Sequence, residues 1–415
     1  MTERRVVITG MGVIAPTGIG IDSLWGALVG GRSSISRIAS FDATSYPTQI
    51  AGQCSSFDPS DYLSASRARR LGRFCQIAVG CAQLAVADAE LAGRNGGLGT
   101  NTGIFIGTAC GATHVVEEQF AVFQDKGYRR VNPMLAPMAS PQAAASQIAA
   151  ELNAKGPILT VSSDCPAGID ALGWAAREIA AGSLSCALAG GVDTPITPLL
   201  MIAFNRTGSL SVRNDAPESA SRPFDRDRDG FVISEGAALF VLETLEEAMK
   251  RNARIYGEIL GIGWGTDPSS EFGRAIAPGG FASAMANALR SAARPRDEVS
   301  FISAHAPAIP ATDLAEACAI EDVFGTCASA PAVTSIKGAI GQALAAGSAL
   351  QVASALHGMQ RMTVPPTVNC DELDASCRID VVRGAAREAR PGLVLVNSHG
   401  FGGNNSTVAL HVAEA

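Results

Sequence analysis

Short apolar runs rich in β-branched residues alternate along the chain with Ala-rich stretches of helical period. The runs at 6–8, 103–107, 158–161, 186–189, 238–242, 299–303, 331–333 and 393–397 read as buried strands. Apolar positions three and four apart predict helices over 74–89, 141–152, 169–181, 245–251, 281–293, 313–323 and 343–359. Such alternation predicts layered sheets covered by helices, an α/β fold. A charged helical stretch at 246–254 gives way to a new strand at 255–262, and the same grammar then repeats. The chain therefore reads as two halves, 1–254 and 255–415, of one duplicated plan.

Composition narrows the class. A chain of 415 residues, 47% hydrophobic and 17% charged, can bury a large core and is no disordered scaffold. Aromatics are only 5% and glycines number 44, which suits close contact between helices and strands. Few aromatics and a net charge of −7 argue against a nucleic-acid binder. The ten cysteines, Cys327 among them, are scattered with no Cys-x-x-Cys pair, so reduced thiols and no metal site are expected. The N-terminus reads directly as a strand and not as a signal peptide, and no apolar stretch approaches the ~18–20 residues of a membrane span. The expectation is a cytoplasmic protein without a membrane span.

Four segments could carry chemistry. In Ser162-Ser163-Asp164-Cys165-Pro166 a strand runs through a polar turn into a helix whose first turn holds a proline. Cys165 would then sit at a helix N-terminus, where the dipole and unpaired N–H groups favour a thiolate. A buried structural cysteine is an equal reading of the position alone. Asp164 beside it would raise the thiol pKa unless its carboxylate turns away. His305 follows directly on the strand at 299–303, the strand end where α/β folds place their sites. Asp313 and Glu316 share one helix face, and either could partner Lys337, which lies in an apolar, Gly-punctuated segment. In Asn397-Ser398-His399-Gly400-Phe401-Gly402-Gly403 the glycines let the backbone approach another group, and its N–H groups could donate to an oxyanion.

Together these segments resemble one family over nearly the whole chain, the β-ketoacyl-acyl-carrier-protein synthases of type II fatty-acid and polyketide systems. The resemblance rests on the opening Arg4-Arg5-Val6-Val7-Ile8-Thr9-Gly10-Met11-Gly12, on Gly156-Pro157 leading to Cys165, and on Ala189-Gly190-Gly191. It continues through Ser221-Arg222-Pro223-Phe224-Asp225, Glu235-Gly236, His305 with Asp313 and Glu316, Lys337, Val364-Pro365-Pro366-Thr367, and Gly400-Phe401-Gly402-Gly403. It implies a thiolase-like fold of five layers, αβαβα, with two duplicated halves, usually dimeric. The acyl chain would be carried as a thioester on Cys165 and attacked by a decarboxylated malonyl unit. His305 would be one of two catalytic histidines, Lys337 and Glu316 would support the site, and Phe401 would gate it. The N–H groups of Cys165 and Phe401 would form the oxyanion hole, and Gly402 would line the substrate.

The departures from the family pattern are specific. Its second catalytic histidine falls at Gln342, whose amide can donate but cannot carry charge. The threonines that hold the phosphopantetheine arm appear as Pro307 and Ile276, and the first Phe of the terminal motif is His399. No bound cofactor is implied; the phosphopantetheine arm of an acyl carrier protein, or CoA, would bring the substrate. Arg67 and Arg70, in a basic run before a helix, are similar in place to the family's carrier-docking positives. Three readings follow: a specialised condensing acyltransferase, a transferase or cyclase that acylates Cys165 without decarboxylating malonate, and a non-catalytic subunit like a chain-length factor. A homodimer or a heterodimer with a ketosynthase-like subunit fits all three.

Overall fold

The computed structural model describes residues 4–91, 98–99, 101–268, 276–326 and 330–412. Ten strands build the framework: β1 (Val6–Ala15), β2 (Thr102–Gly107), β3 (Ile158–Val161), β4 (Cys186–Asp193), β5 (Gly236–Thr244), β6 (Gly257–Thr266), β7 (Val299–Ser303), β8 (Ala332–Thr334), β9 (Leu393–His399) and β10 (Asn404–His411). Their spatial order is β3-β2-β4-β5-β1 in the first half and β8-β7-β9-β10-β6 in the second. Position by position these are one topology. The central pairs β2–β3, β2–β4, β7–β8 and β7–β9 are parallel, and the flanking pairs β4–β5, β5–β1, β9–β10 and β10–β6 are antiparallel. The two five-stranded units join into one sheet where β1 pairs β6, at Val7 with Glu258 and Ile8 with Gly257.

The helices needed here are α1 (Arg73–Asp88), α2 (Ala143–Leu152), α3 (Ala167–Ala180), α4 (Pro198–Thr207), α5 (Gly279–Ala292), α6 (Pro310–Phe324) and α7 (Leu344–Gln360). Helix α1 covers one sheet with α2 against it, α5 covers the other with α6 against it, and α3 and α7 lie between the sheets. The layers are thus αβαβα, as the family resemblance implies. In α7 every residue from Leu344 to Met359 is buried, and a helix apolar all round belongs at the centre of a fold. Missing side chains permit the packing: a Cβ on Gly107 would lie 2.0 Å from the Ala167 carbonyl oxygen, and one on Gly191 2.4 Å from that of Ala345.

Most predicted elements are present, with instructive differences. Helix α6 starts at Pro310, not Asp313, because the proline takes the first helical position, where its missing N–H costs nothing. The strand β10 and the helix α4 were not among the predicted elements. Among the described residues no helix is long and apolar enough to cross a membrane, and no group of side chains could hold a metal ion. The nine described cysteines are free thiols; Cys327 lies outside the described residues.

Candidate active site

Both halves send groups to one place in the central layer. The turn after β3 positions Cys165, with Pro166 capping α3 and Asp164 in the left-handed region at φ 62°. That tight strand–turn–helix elbow is held by Asp170 of α3. Its carboxylate accepts from Ser163 Oγ, from Trp264 Nε1 on β6 at 2.7 Å and from Ser406 Oγ on β10 at 2.6 Å. Asp193 at the end of β4 ties the layers similarly, accepting Thr108 Oγ1 (2.7 Å), Cys110 N and Ala345 N (2.9 Å each).

The C-terminal half supplies the facing wall. Glu316 of α6 accepts the backbone N–H groups of His305 (2.9 Å) and Ala306 (2.8 Å) and the Asn397 amide (3.0 Å), which fixes the loop after β7. Lys337 Nζ donates to the His305 carbonyl oxygen and to Gln351 Oε1 at 3.0 Å, and lies 3.5 Å from His305 Nδ1. The two acids that the sequence offered as its partners bind backbone instead. Asp313 accepts Phe224 N at 2.9 Å and Ala308 N at 3.1 Å and faces Arg228. Burial pushes Lys337 down to about 8, against the pull of Glu316 and Cys165. Burial likewise holds His305 well below the usual imidazole range, with Lys337 adding to the effect.

A narrow pocket collects Cys165, Phe231, Ile276, His305, Pro307, Ile309, Thr312, Gln342, His399 and Phe401. Its closed part measures about 20 Å³, room for one water. Gln342 donates Nε2 to Cys165 Sγ at 3.2 Å, while its buried Oε1 has no hydrogen-bond partner among the described residues. The Phe401 ring lies against Phe204 of α4 (6.0 Å between centroids) and Phe231 (6.3 Å), an apolar cluster at the pocket wall. His399 stacks on Phe281 (4.9 Å) and meets the His305 ring edge-on (5.9 Å). Its Nδ1 sits 3.0 Å from Asn405 Oδ1, and Asn405 Nδ2 donates to Gly403 O, so the hydrogen-bond network assigns the His399 proton to Nδ1. His399 Nε2 is then a bare acceptor, with no hydrogen-bond partner among the described residues.

One expectation is overturned. A helix-terminal Cys165 was to be a low-pKa thiolate, but burial, followed by the charge of Asp164, pushes the thiol well above its ordinary value. The Asp164 carboxylate does not turn away: Oδ1 lies 3.8 Å from the sulfur. Its Oδ2 accepts the Phe401 N–H at 2.7 Å, and the Cys165 N–H also favours the charged carboxylate.

Seven of the residues singled out in the sequence therefore share the pocket: Cys165, His305, Gln342, His399, Ile276, Pro307 and Phe401. Lys337 and Glu316 stand behind its wall, and Gly402 is exposed on the turn beyond it. Arg67 and Arg70 lie elsewhere, at a short helix before α1, where Arg67 pairs with Glu151 of α2 and Arg70 bonds Ser66 Oγ at 2.5 Å. Sequence reasoning missed Phe231, Ile309 and Thr312 in the wall and Gln351 behind it. Thr312 was within reach, since starting α6 at Pro310 places it in the first turn.

The β-ketoacyl synthase N-terminal domain matches residues 3–248 and the β-ketoacyl synthase C-terminal domain residues 256–371. The 3-oxoacyl-[acyl-carrier-protein] synthase 2 of Coxiella burnetii is 38% identical over 418 residues, covering 99% of each chain. The ishigamide ketosynthase/chain length factor superposes with a TM-score of 0.92 at 33% identity, over 99% of this chain and 100% of that one. A type II polyketide ketosynthase in complex with its acyl carrier protein superposes with a TM-score of 0.89 at 28% identity, over 99% and 100%.

Proposed function

The chain belongs to the β-ketoacyl synthase family, and from that premise we propose that it is an acyltransferase of specialised polyketide or fatty-acid synthesis. It takes an acyl chain onto Cys165 and condenses it with a malonyl-derived unit. The observation that carries the reading is the meeting, in one buried pocket, of the Cys165 sulfur at a helix N-terminus with the His305 ring and the Gln342 amide. A lysine can only donate, so His305 Nδ1 accepts from Lys337 and Nε2–H remains for an enolate oxygen. Gln342 would give the second donor where the family has a histidine. Pro307 and Ile276 offer the phosphopantetheine arm apolar contact in place of hydroxyls, and Phe401 would have to move before a chain could enter about 20 Å³ of closed space.

The carrier is read as an acyl carrier protein, with CoA as the other bearer of the same arm, and Arg70 with Arg67 as its docking cations. The division at 254/255 is read as the seam of the duplication, on the support of the repeated strand order. The edge strand β3 exposes Ile158 and Leu159, and Phe120, Phe123, Leu199 and Ile202 are exposed as well. This edge fits a second copy or a homologous subunit, in a cytoplasmic dimer.

One observation favours a second reading. The bare Nε2 of His399 is an acceptor, so the pocket holds a base where the enolate of a decarboxylated malonyl group would want a donor. A transferase or cyclase that passes the chain from Cys165 to a protic nucleophile would use it. Intact-mass spectrometry with acyl- and malonyl-carrier proteins separates the two. Acylation of Cys165 with release of carbon dioxide supports condensation. Acylation without carbon dioxide from any malonyl donor rejects it in favour of the transferase, and no acylation rejects both.

A further inference from the structure

Among the described residues, two polar side chains reach the Cys165 sulfur: Gln342 through Nε2 at 3.2 Å and Asp164 through Oδ1 at 3.8 Å. An amide nitrogen has hydrogens to give and no basic lone pair, so of these two only the carboxylate can take the thiol proton. The same carboxylate fills the place where a thioester oxygen would have to sit. Its Oδ2 accepts Phe401 N–H at 2.7 Å, and the Cys165 N–H also favours its charged form.

We propose that Asp164 is the base that takes the Cys165 proton, and that by taking it Asp164 gives up the two backbone N–H groups to the incoming thioester carbonyl. The inference rests on the reading of Cys165 as the acyl acceptor. The proton balance is simple. The S–H proton of Cys165 moves to Asp164, the sulfur bonds the substrate carbonyl carbon, and the carbonyl oxygen, now negative, takes the vacated N–H groups. Collapse breaks the bond to the carrier sulfur, which leaves with the proton returned by Asp164. The products are acyl-Cys165 and a carrier thiol, with the carboxylate regenerated.

The local structure is built for this contact. The left-handed backbone of Asp164 aims its side chain across the elbow, and Asp is one of the few residues besides Gly that enters this region readily. Gly400 leaves it room, since a Cβ there would stand 3.0 Å from both Asp164 Cβ and Oδ2. In the resting site a charged acceptor holds the N–H pair more tightly than a neutral carbonyl could. Burial raises the carboxyl as well as the thiol, and the charge of Asp164 raises the thiol further, so at rest the proton stays on sulfur. Reaction then requires substrate arrival and proton transfer together, which keeps the nucleophile silent in an empty pocket.

The test uses the full chain with hexanoyl-N-acetylcysteamine as thioester probe and intact mass as readout, at pH 7 and pH 9.5. Asp164→Asn keeps the shape and an acceptor oxygen but cannot take a proton, so acylation at pH 7 should fall by about 10²–10⁴-fold. Asp164→Gly suits φ 62° and opens the hole without supplying a base. It should also be slow at pH 7, and should recover more than Asp164→Asn at pH 9.5, where hydroxide ionises the thiol. Melting curves verify that both variants fold. Asp164→Asn acylated as fast as wild type at pH 7 overturns the proposal and leaves Cys165 as nucleophile. A wild type never acylated at Cys165 overturns the reading beneath it.

Discussion

Lys337 Nζ lies 3.5 Å from His305 Nδ1 and donates to the carbonyl oxygen of the same residue, so one buried cation sets both the position and the tautomer of the histidine. Charge on Lys337, not on His305, is therefore what the site has to keep.

That charge is lost as the pH rises through about 8. Decarboxylation should fall above this pH, by roughly the ~10²-fold scale of one lost donor. Stability should move the other way. The folded pKa is depressed below 10.5, so between pH 8 and 10 the unfolded chain binds more protons and folding becomes more favourable as pH rises. Lys337→Met should flatten both trends, read as a pH–rate profile and as Tm against pH.

Gln342 offers hydrogens to the sulfur and to any enolate oxygen beside it. Gln342→Ala should leave Cys165 acylation within a few-fold of wild type, because that oxyanion depends on backbone N–H groups. Malonyl decarboxylation should slow by ~10²–10³-fold. Gln342→His should preserve or raise it. Equal loss in both half-reactions would show that Gln342 acts on the sulfur alone.

Arg228 is the cation facing the fully buried Asp313, and it also reaches Asp374 at 2.8 Å. Arg228→Met should cost about 3–5 kcal/mol at pH 8 in urea unfolding, because it strands a buried carboxylate. Asp313 is pushed up to about 7 even with Arg228 holding it down, so in the variant it takes its proton at a higher pH, and the deficit should shrink as pH falls toward 7 and the acid becomes neutral. Acylation should suffer too, since Asp313 holds the Ala308 N–H beside Pro307.

Arg67 is already matched by Glu151, whereas among the described residues Arg70 bonds Ser66 alone. Arg70→Glu should weaken carrier association and flatten its salt dependence, with Tm unchanged. Arg67→Glu places like charge beside Glu151 and should also lower Tm. Unchanged transfer at low salt in Arg70→Glu rules the patch out.

Period and punctuation carried most of the fold. Strands such as β2 and β7 are short runs built on β-branched and aromatic residues, and α7 is a long Ala- and Leu-rich stretch with no proline. Strand β10 escaped because it opens on Asn404-Asn405-Ser406-Thr407, polar residues whose side chains bond buried partners such as Asp170 and Asn397. Helix α4 leaves Leu199 and Ile202 exposed, so its apolar positions trace no inward stripe. In the site, residue types marked Cys165 and His305, because their chemistry is visible in letters, and Gln342 was marked only by the family resemblance. The direction of the Asp164 carboxylate was not, since it depends on one backbone angle and on Gly400 three-dimensionally opposite it. Nor was the choice Lys337 makes of Gln351 over Glu316, because the contact joins the short helix Lys337–Ile340 to α7 across the turn between them.

The first strand also has a history in time. Val6 pairs Thr244 and Val7 pairs Glu258, so β1, paired locally only at Ile14 with Ile19 and Ala15 with Gly18, finds its two long neighbours more than two hundred residues downstream. At synthesis rates of ~5–20 residues per second, the ten-residue apolar segment waits on the order of 10–50 s with most of its backbone unmatched. Pairing across such a distance is slow to close, and an unmatched apolar strand is what holdase chaperones bind and what aggregates. Yield in a host cell should therefore depend on chaperone supply and on growth temperature well before it depends on the stability of the finished fold.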